Sequence, residues 1–306
     1  MDAKKLYSAA GLENLMHDPT APRLTINLNK VTDSKLVKGL KVYTEEMSDG
    51  VRVVMNVLNG VVIEKPVHLC FGVLHEYALQ HIRMNVRVGE GAKINIFAHC
   101  VFPSSVDVKH IMDAEIVVEN GAEYRYLERH IHSPLGGITV IPKARVKLAE
   151  NARFKTDFEL IKGRVGLIDI DYETTVAAGS TMEMTSKISG KGDDIIKIKE
   201  SAYLLGEHAV GVLNSRIAVR DRARAEIYNV LIADAPYARG HVDCKEIVQD
   251  DATAKAVPIV EVKNAKAHVT HEAAIGSVDN KQLETLLSRG LSEDEAVDLI
   301  IEGLLS

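Results

Sequence analysis

The chain has 306 residues and a formal net charge of −6, with acidic and basic side chains spread along its whole length. It has no basic stripe of the kind that binds nucleic acid, and tryptophan is absent, so aromatic platforms for sugars or bases are few. A chain of this length buries roughly three quarters of the surface that it exposes when unfolded. Length alone indicates one or two domains.

The three cysteines, Cys70, Cys100 and Cys244, are an odd number and form no Cys-x-x-Cys pair. A disulfide framework or an all-cysteine zinc site is therefore not expected, and reduced thiols indicate a cytoplasmic protein. The N-terminal residues lack the long apolar segment of a signal peptide. The most apolar run, residues 51–74, is interrupted by charged and polar residues, so we expect no association with a membrane.

Residues 1–80 form the first predicted segment, which leads into the rest of the fold. Residues 3–16 have the apolar spacing of a short amphipathic helix. Residues 51–58 and 67–73 are rich in β-branched and apolar side chains, which is typical of strands. An Asn-Gly dipeptide after residue 58 is a hairpin-type turn signal.

Residues 81–276 contain a repeat, in which each unit is a strand, a short polar turn ending in Ala or Ser, and a second strand. Successive turn-closing residues are 30, 30, 28, 29, 14, 29 and 13 positions apart. A fixed period of this kind predicts a β-solenoid, because each coil buries its inner face only by stacking on its neighbours. The turn-closing residues are Ala92, Ala122, Ala152, Ser180, Ala209, Ala223, Ala252 and Ala265.

Two other architectures are weighed against the solenoid. A Rossmann-like sheet is disfavoured because no helix of crossover length separates the strands. A β-sandwich remains the rival, although a sandwich does not require so regular a step. A small residue at each turn fits the tight corner of a coil, where a larger side chain would clash.

Residues 277–306 predict a helical hairpin. Asp279 with Gln282, and Ser292 with Glu295, have the spacing of helix N-terminal capping boxes. Gly290 suits the position that ends the first helix. We expect this hairpin to cover the open end of the solenoid or to offer a face to a partner protein.

Cys244 and the pair His271-Glu272 are the strongest candidates for a functional site. Glu272 follows Cys244 by 28 positions, close to one repeat, so we expect the two residues on adjacent rungs, roughly 4.8 Å apart. A thiolate with an imidazole or a carboxylate suits iron or zinc. The alternatives are a small buried cysteine and a structural histidine. A chain with so few thiolates would hold a cluster only transiently or share it between subunits.

Weaker candidates lie in the middle of the chain. His130 and His132 share one strand face, which we interpret as a solvated face in preference to a metal pair. Asp169 and Asp171 also share a face, which raises the alternative of a β-helical carbohydrate-active enzyme with paired carboxylates. The scarcity of aromatic platforms for sugars argues against it. No P-loop motif occurs, so we expect the chain to bind no nucleotide. A purely structural adaptor is a third alternative.

Several long segments resemble the SufB/SufD family, the scaffold subunits of the SUF iron–sulfur cluster assembly system. The segments are GHVDCKEIVQDDA around Cys244, VTHEAAIG around His271 and Glu272, and QLETLLSRGLSEDEAVDLIIEGLL near the C-terminus. The resemblance extends over residues 60–304. The chain is similar in length to compact archaeal-type members of that family.

The resemblance implies a right-handed parallel β-helix that binds a transient iron–sulfur cluster through Cys244, His271 and Glu272. It also implies a scaffold without catalytic activity that forms a homodimer, or a heterodimer with a paralogue, and works with a sulfur donor and apo-protein acceptors. The sulfur-handling second cysteine of bacterial members falls near Lys147, so this chain departs from them there. The helical end would bind a SufC-like ABC ATPase through Leu283, Leu286, Arg289, Gly290, Ala296 and Ile300.

Overall fold

The structure is a computed structural model that describes residues 2–306, except for the side chain of Met16. It begins with two short helices, α1 (Asp2–Ala9) and α2 (Glu13–His17), where the sequence predicts one. Gly11 separates them because it adopts a left-handed conformation with φ of +67°, which a glycine tolerates without strain. Helix α1 packs against the solenoid through the buried side chain of Leu6.

Two antiparallel hairpins follow the helices. The first joins β1 (Arg23–Asn27) to β2 (Lys30–Lys35), and the second joins β3 (Leu40–Glu46) to β4 (Gly50–Val57). Strands β1 and β4 also pair in parallel with later strands of the chain. The stacking of coils therefore begins well before residue 81, where the sequence analysis places its start.

Long strands at a regular spacing make up the rest of the solenoid. They are β5 (Val67–Gly72), β6 (Tyr77–Val88), β7 (Lys93–Phe102), β8 (Asp107–Val118), β9 (Glu123–His132), β10 (Ile138–Leu148), β11 (Arg153–Leu160), β12 (Leu167–Val176), β13 (Thr181–Gly190), β14 (Ile195–Leu204), β15 (Val210–Val219), β16 (Arg224–Ala233), β17 (Arg239–Val248), β18 (Thr253–Val262) and β19 (His268–Gly276).

From β4 onward, successive strands alternate between two sheets that enclose a lumen. Within residues 2–306, the first sheet has ten strands in the order β19-β17-β15-β13-β11-β9-β7-β5-β1-β2, and the second has nine in the order β18-β16-β14-β12-β10-β8-β6-β4-β3. From β5 onward every pairing is parallel and links a strand to the one a coil later. This is the predicted mainly β fold, a parallel β-helix, and the arrangement excludes the rival sandwich, whose sheets are antiparallel.

The register confirms the repeat length read from the sequence. Tyr77 pairs with Asp107, and Ser215 pairs with Cys244, so each residue lies beside the one a coil later. Alternate side chains of each strand point into the lumen and form one continuous apolar core. Burial on this face supplies the main driving force for folding.

Small residues close the corners of the coils, as predicted. Seven of the eight predicted turn-closing residues are buried, but Ala265 is exposed. In the last turn Ala267 takes this role, and its N–H donates to the carbonyl of Asn264 at 2.9 Å. The prediction for the last turn was therefore two residues too early.

The C-terminal hairpin consists of α3 (Asn280–Leu287) and α4 (Glu293–Leu305). Asp279 accepts a hydrogen bond from the N–H of Gln282, which is one of the two hydrogen bonds of the first predicted capping box. Ser292 and Glu295 form the reciprocal capping box that the sequence predicts. Gly290 follows α3 in the left-handed region, with φ of +93°.

Helix α4 packs on the outer face of the first sheet. Val297 and Ile301 lie in an apolar cluster with Ala218 of β15, and Arg220 forms an ion pair with Asp298 at 2.7 Å. The hairpin therefore lies at the side of the solenoid. It leaves β18 and β19, the last strand of each sheet, at what we call the open end.

Candidate functional site

The register of the last two coils places the three predicted ligands on two different faces. Cys244 pairs with Ala273, while Glu272 pairs with Asp243 and His271 pairs with Val242. The expectation that Glu272 stands one rung above Cys244 is therefore wrong by one residue. Because side chains alternate along a strand, His271 shares the lumen face with Cys244, and Glu272 lies on the outer face.

Cys244 is a free cysteine with 0% of its surface exposed. Asn229, on the opposite sheet, donates a hydrogen bond from Nδ2 to the Cys244 sulfur at 3.4 Å. Burial raises the pKa of the Cys244 thiol, so the neutral thiol is favoured over the thiolate. In the isolated chain this sulfur is thus protected.

Buried carboxyl groups accompany Cys244 in the lumen. Glu246 accepts a hydrogen bond from Ser215 at 3.0 Å, and Glu200 accepts one from Ser186 at 2.7 Å. Burial raises the pKa of both glutamates to about 7. Within the described part of the chain, residues 2–306, the second carboxyl oxygen of each is buried without a hydrogen-bond partner. The sequence signal for Glu246 was its position on the same strand face as Cys244.

The outer face beside Glu272 carries an ion-paired carboxylate. Asp243 accepts hydrogen bonds from Arg216 and, at 3.2 Å, from Lys245. Burial alone would raise the pKa of Asp243, but these two cationic donors outweigh it and lower the pKa. His271 and Glu272 themselves are exposed.

A second group of polar residues, which was not predicted from the sequence, lies deep in the lumen. Cys100, His110 and Glu128 offer a sulfur, a nitrogen and an oxygen atom that all lie within 4.8 Å of one another. His130 and His132 are buried beside them, so the prediction of a solvated histidine face was wrong. The sequence did contain a signal for this group. Cys100 and His130 occupy equivalent positions in successive coils, so their side chains lie on the same face of the sheet.

The residues predicted to bind an ATPase differ in accessibility. Arg289 and Gly290 are exposed, and Leu283 and Leu286 are partly buried. Ala296 is fully buried within the chain, so its side chain is not available to a partner. Ile300 helps to line a groove between the two C-terminal helices. That groove encloses about 920 Å³, and its apolar lining comes from Ile247, Leu286, Leu299, Ile300 and Leu304.

The carboxylates weighed for carbohydrate chemistry lie on the outer face of β12. Asp171 forms an ion pair with Arg145 at 3.0 Å. Asp169 is in register with Lys197 on the neighbouring strand. These carboxylates face basic side chains, which gives that alternative no support. None of the helices described between residues 2 and 306 has the length and apolar character needed to cross a bilayer.

Comparison with known proteins connects this architecture to a family. Residues 73–304 match the family model described as SUF system FeS cluster assembly, SufBD core domain. The chain belongs to the SufBD family. The match covers the solenoid from β6 onward, all of α3 and α4 up to its penultimate residue, so the resemblance read from the sequence is confirmed.

Relatives that match nearly all of this SufBD chain occur in archaea. It is 34% identical over 299 residues to an iron–sulfur cluster assembly SufBD family protein of Methanocaldococcus jannaschii, covering 98% of this chain and 94% of the relative. A second such protein, from Pyrococcus horikoshii, is 33% identical, with 98% and 92% covered. The iron–sulfur cluster assembly protein SufB of Bacillus subtilis is 25% identical, with 80% and 53% covered.

Proposed function

We propose that this SufBD chain is a cytoplasmic scaffold on which an iron–sulfur cluster is assembled transiently and then passed to acceptor proteins. The observation that supports the site is the shared lumen face of Cys244 and His271 in the last two coils. A soft thiolate beside an imidazole suits iron, and the carboxylate of Glu272 could reach the same ion around the exposed edge of β19. The cluster is the cargo of this protein, and sulfur would come from a separate donor.

We infer that two copies, or this chain and a paralogue, meet at the open end. Strands β18 and β19 stand last in their sheets, and an unpaired strand edge is a ready template for another chain. Large apolar side chains are exposed there, including Ile259 at 44% and Ile275 at 47%. Burial of such a patch favours association. A dimer would supply two thiols and two sets of His271 and Glu272.

We infer that the C-terminal helices bind a SufC-like ABC ATPase. The groove between α3 and α4 offers Leu286 and Leu299, with Arg289 exposed nearby in sequence. An apolar groove with a charged rim is typical of a protein interface. In this proposal the chain binds no nucleotide and has no catalytic activity of its own. ATP hydrolysis in the partner would shift the scaffold between two conformations, provided that the partner binds them with different affinity.

Anaerobic reconstitution with iron and sulfide tests the cluster site. The Cys244→Ala variant should hold less than about half of the iron and sulfide of the wild type, because the proposed cluster site loses its thiol ligand. Cys70→Ala is the matched control, since Cys70 is also a buried free cysteine but packs against α1. Equal iron content in wild type and Cys244→Ala would reject the site.

A binding measurement with the cognate ATPase tests the docking groove. Deleting the helices would expose the core beneath α4, so a surface change is cleaner. Leu299→Asp should weaken binding by at least about tenfold, because it places a charge in the apolar groove. Leu205→Asp, at an exposed leucine outside the helical hairpin, is the control. Undiminished binding by Leu299→Asp would exclude this groove.

A structural adaptor is the second candidate, and one observation favours it. Such an adaptor needs no reactive thiol, and Cys244 is fully buried with a raised pKa. The reconstitution experiment distinguishes a structural adaptor from a cluster scaffold. An adaptor would bind the ATPase yet take up no iron and sulfide, even as a dimer.

A further inference from the structure

The lumen of the early coils holds three potential metal ligands from three different strands. Cys100 lies on β7, His110 on β8 and Glu128 on β9, so the group spans both sheets. The sulfur of Cys100 is 3.8 Å from Nε2 of His110 and 3.6 Å from Oε1 of Glu128. All three side chains are buried.

The two separations that involve the Cys100 sulfur are close to those expected around one tetrahedral metal ion. With metal–sulfur, metal–nitrogen and metal–oxygen bonds of about 2.3, 2.05 and 2.0 Å, tetrahedral geometry puts the sulfur about 3.6 Å from the nitrogen and about 3.5 Å from the oxygen. The observed values differ from these by only a few tenths of an ångström. Little movement of the sulfur relative to the nitrogen or the oxygen would therefore be needed to bind one ion, and the three atoms already lie within 4.8 Å of one another.

His110 is already fixed in the tautomer that a metal requires. The Gln80 amide nitrogen donates to the carbonyls of Leu28 at 2.6 Å and Gly72 at 3.3 Å. Its oxygen must therefore be the atom that faces Nδ1 of His110 at 2.9 Å. Nδ1 then donates, and the lone pair of His110 lies on Nε2, toward Cys100. A second hydrogen bond of this kind is how metal-binding histidines are usually oriented.

Glu128 is oriented in the same way by a chain of histidines. Nδ1 of His132 donates to the carbonyl of Arg164 at 3.0 Å, so its Nε2 accepts from Nδ1 of His130 at 3.1 Å. Nε2 of His130 lies 2.7 Å from Oε1 of Glu128, and a proton between these two atoms completes the chain. These contacts hold the carboxylate in place beside Cys100.

The other oxygen of Glu128 is a second observation that favours a ligand here. Among residues 2–306, Oε2 is buried and has no hydrogen-bond partner, and a buried carboxyl oxygen left unpaired lowers the free energy of unfolding. A cavity of about 30 Å³ adjoins Glu128, with Tyr126 and Tyr172 among its walls. This space is enough for a single water or ion.

We propose that Cys100, His110 and Glu128 form an internal site for one divalent first-row transition metal ion of the zinc or iron(II) class. The thiolate and the carboxylate supply two negative charges that offset the two positive charges of the ion. The cavity beside Glu128 provides room for a water as fourth ligand. Five coils separate Cys100 from Cys244, or about 24 Å, so this site is distinct from the open end.

Cobalt(II) is the probe, because a thiolate ligand gives it an intense charge-transfer band and a tetrahedral site gives it strong visible bands. The full-length chain, stripped with a chelator, is incubated with cobalt(II) for hours, since a buried site opens slowly. We expect about one cobalt per chain with a thiolate band. The band should disappear in Cys100→Ser and persist in Cys70→Ser and Cys244→Ser.

A ligand change that leaves the thiol in place keeps the test decisive if Cys100→Ser does not fold. His110→Gln should weaken cobalt binding at least about tenfold. Absence of the band in the wild type, or its loss in Cys244→Ser but not in Cys100→Ser, would overturn the proposal. A normal cobalt site in a chain that takes up no iron and sulfide at Cys244 would reject the proposed function alone.

Discussion

Glu272 lies directly beside Asp243, in register across the last two strands of the first sheet. Asp243 is held by Arg216 and Lys245 on the outer face, whereas Cys244 points into the lumen. The predicted carboxylate and thiol ligands are therefore separated by the sheet itself. They can serve one cluster only around the exposed edge of β19, which makes the open end the part of the molecule to test.

Charge at the open end should prevent dimer formation. Ile275→Asp places a carboxylate on the last strand, among exposed apolar side chains, and we expect the dimer to weaken at least about tenfold because that charge would be buried at the contact. Light scattering across a concentration series measures the change. Ile195→Asp, at an equally exposed isoleucine (41% against 47%) on a middle coil, should leave the mass unaltered. Equal masses for both variants would remove the open end as the interface.

The Cys244 thiol should react slowly in the folded chain. A variant carrying Cys70→Ala and Cys100→Ala leaves Cys244 as the only thiol. We expect a colorimetric disulfide reagent to modify it at least about tenfold more slowly in buffer than in denaturant, because burial restricts access and raises its pKa. Similar rates in the two conditions would show that the lumen is open to solvent at this residue.

Stability should fall as the pH rises from about 4.5 to about 7. Burial raises the pKa of Glu200 from 4.5 to about 7, so in this range the folded chain keeps a proton that the unfolded chain has lost. The stabilisation is fully present below the pKa of Glu200 in the unfolded chain. It is lost as the pH rises through the pKa in the folded chain, and the free energy of unfolding changes by on the order of 3 kcal/mol.

Thermal unfolding between pH 5 and pH 8 measures this dependence. Glu200→Gln, which stays neutral, should reduce the slope by about half, because Glu246 has a similar shift. Glu226→Gln, at an exposed glutamate of β16, should leave the slope as it is. A Glu200→Gln variant with the wild-type slope would show that Glu200 is not the group responsible.

Loss of the capping box should loosen helix α4. Ser292 accepts from the N–H of Glu295 and donates its own N–H to the Glu295 carboxylate at 2.8 Å. Ser292→Ala should lower the free energy of unfolding of this helix by about 1 kcal/mol, seen as faster amide hydrogen exchange in α4. Ser104→Ala, in an exposed loop, is the control. Unchanged exchange in α4 would mean that packing alone holds the helix.

The sequence correctly predicted residues whose role depends only on the turn or the helix end in which they lie. The buried small residues at the coil corners, such as Ala122 and Ala152, and the caps at Asp279 and Ser292 were all predicted correctly. Each depends on contacts within a few residues. The error at Ala265 arose in the last coil, where no further coil constrains the turn.

The histidines of β9 show why the lumen was harder to predict. His130 and His132 look like a polar strand face, since polar side chains usually face water. They are buried because partners from other coils satisfy them: Glu128 and the carbonyl of Arg164 accept or share their protons. Nothing in the local pattern distinguishes a satisfied buried histidine from an exposed one.

The sequence by itself determined the coil, because a period near 29 residues and alternating polarity recur along the chain and each coil repeats the same local choices. Tertiary structure alone decided which side chains meet. A shift of one residue in register reverses the face of every side chain on a strand, and this is why Glu272 stands beside Asp243 instead of Cys244. It also decided that Cys100, His110 and Glu128 come together across the lumen.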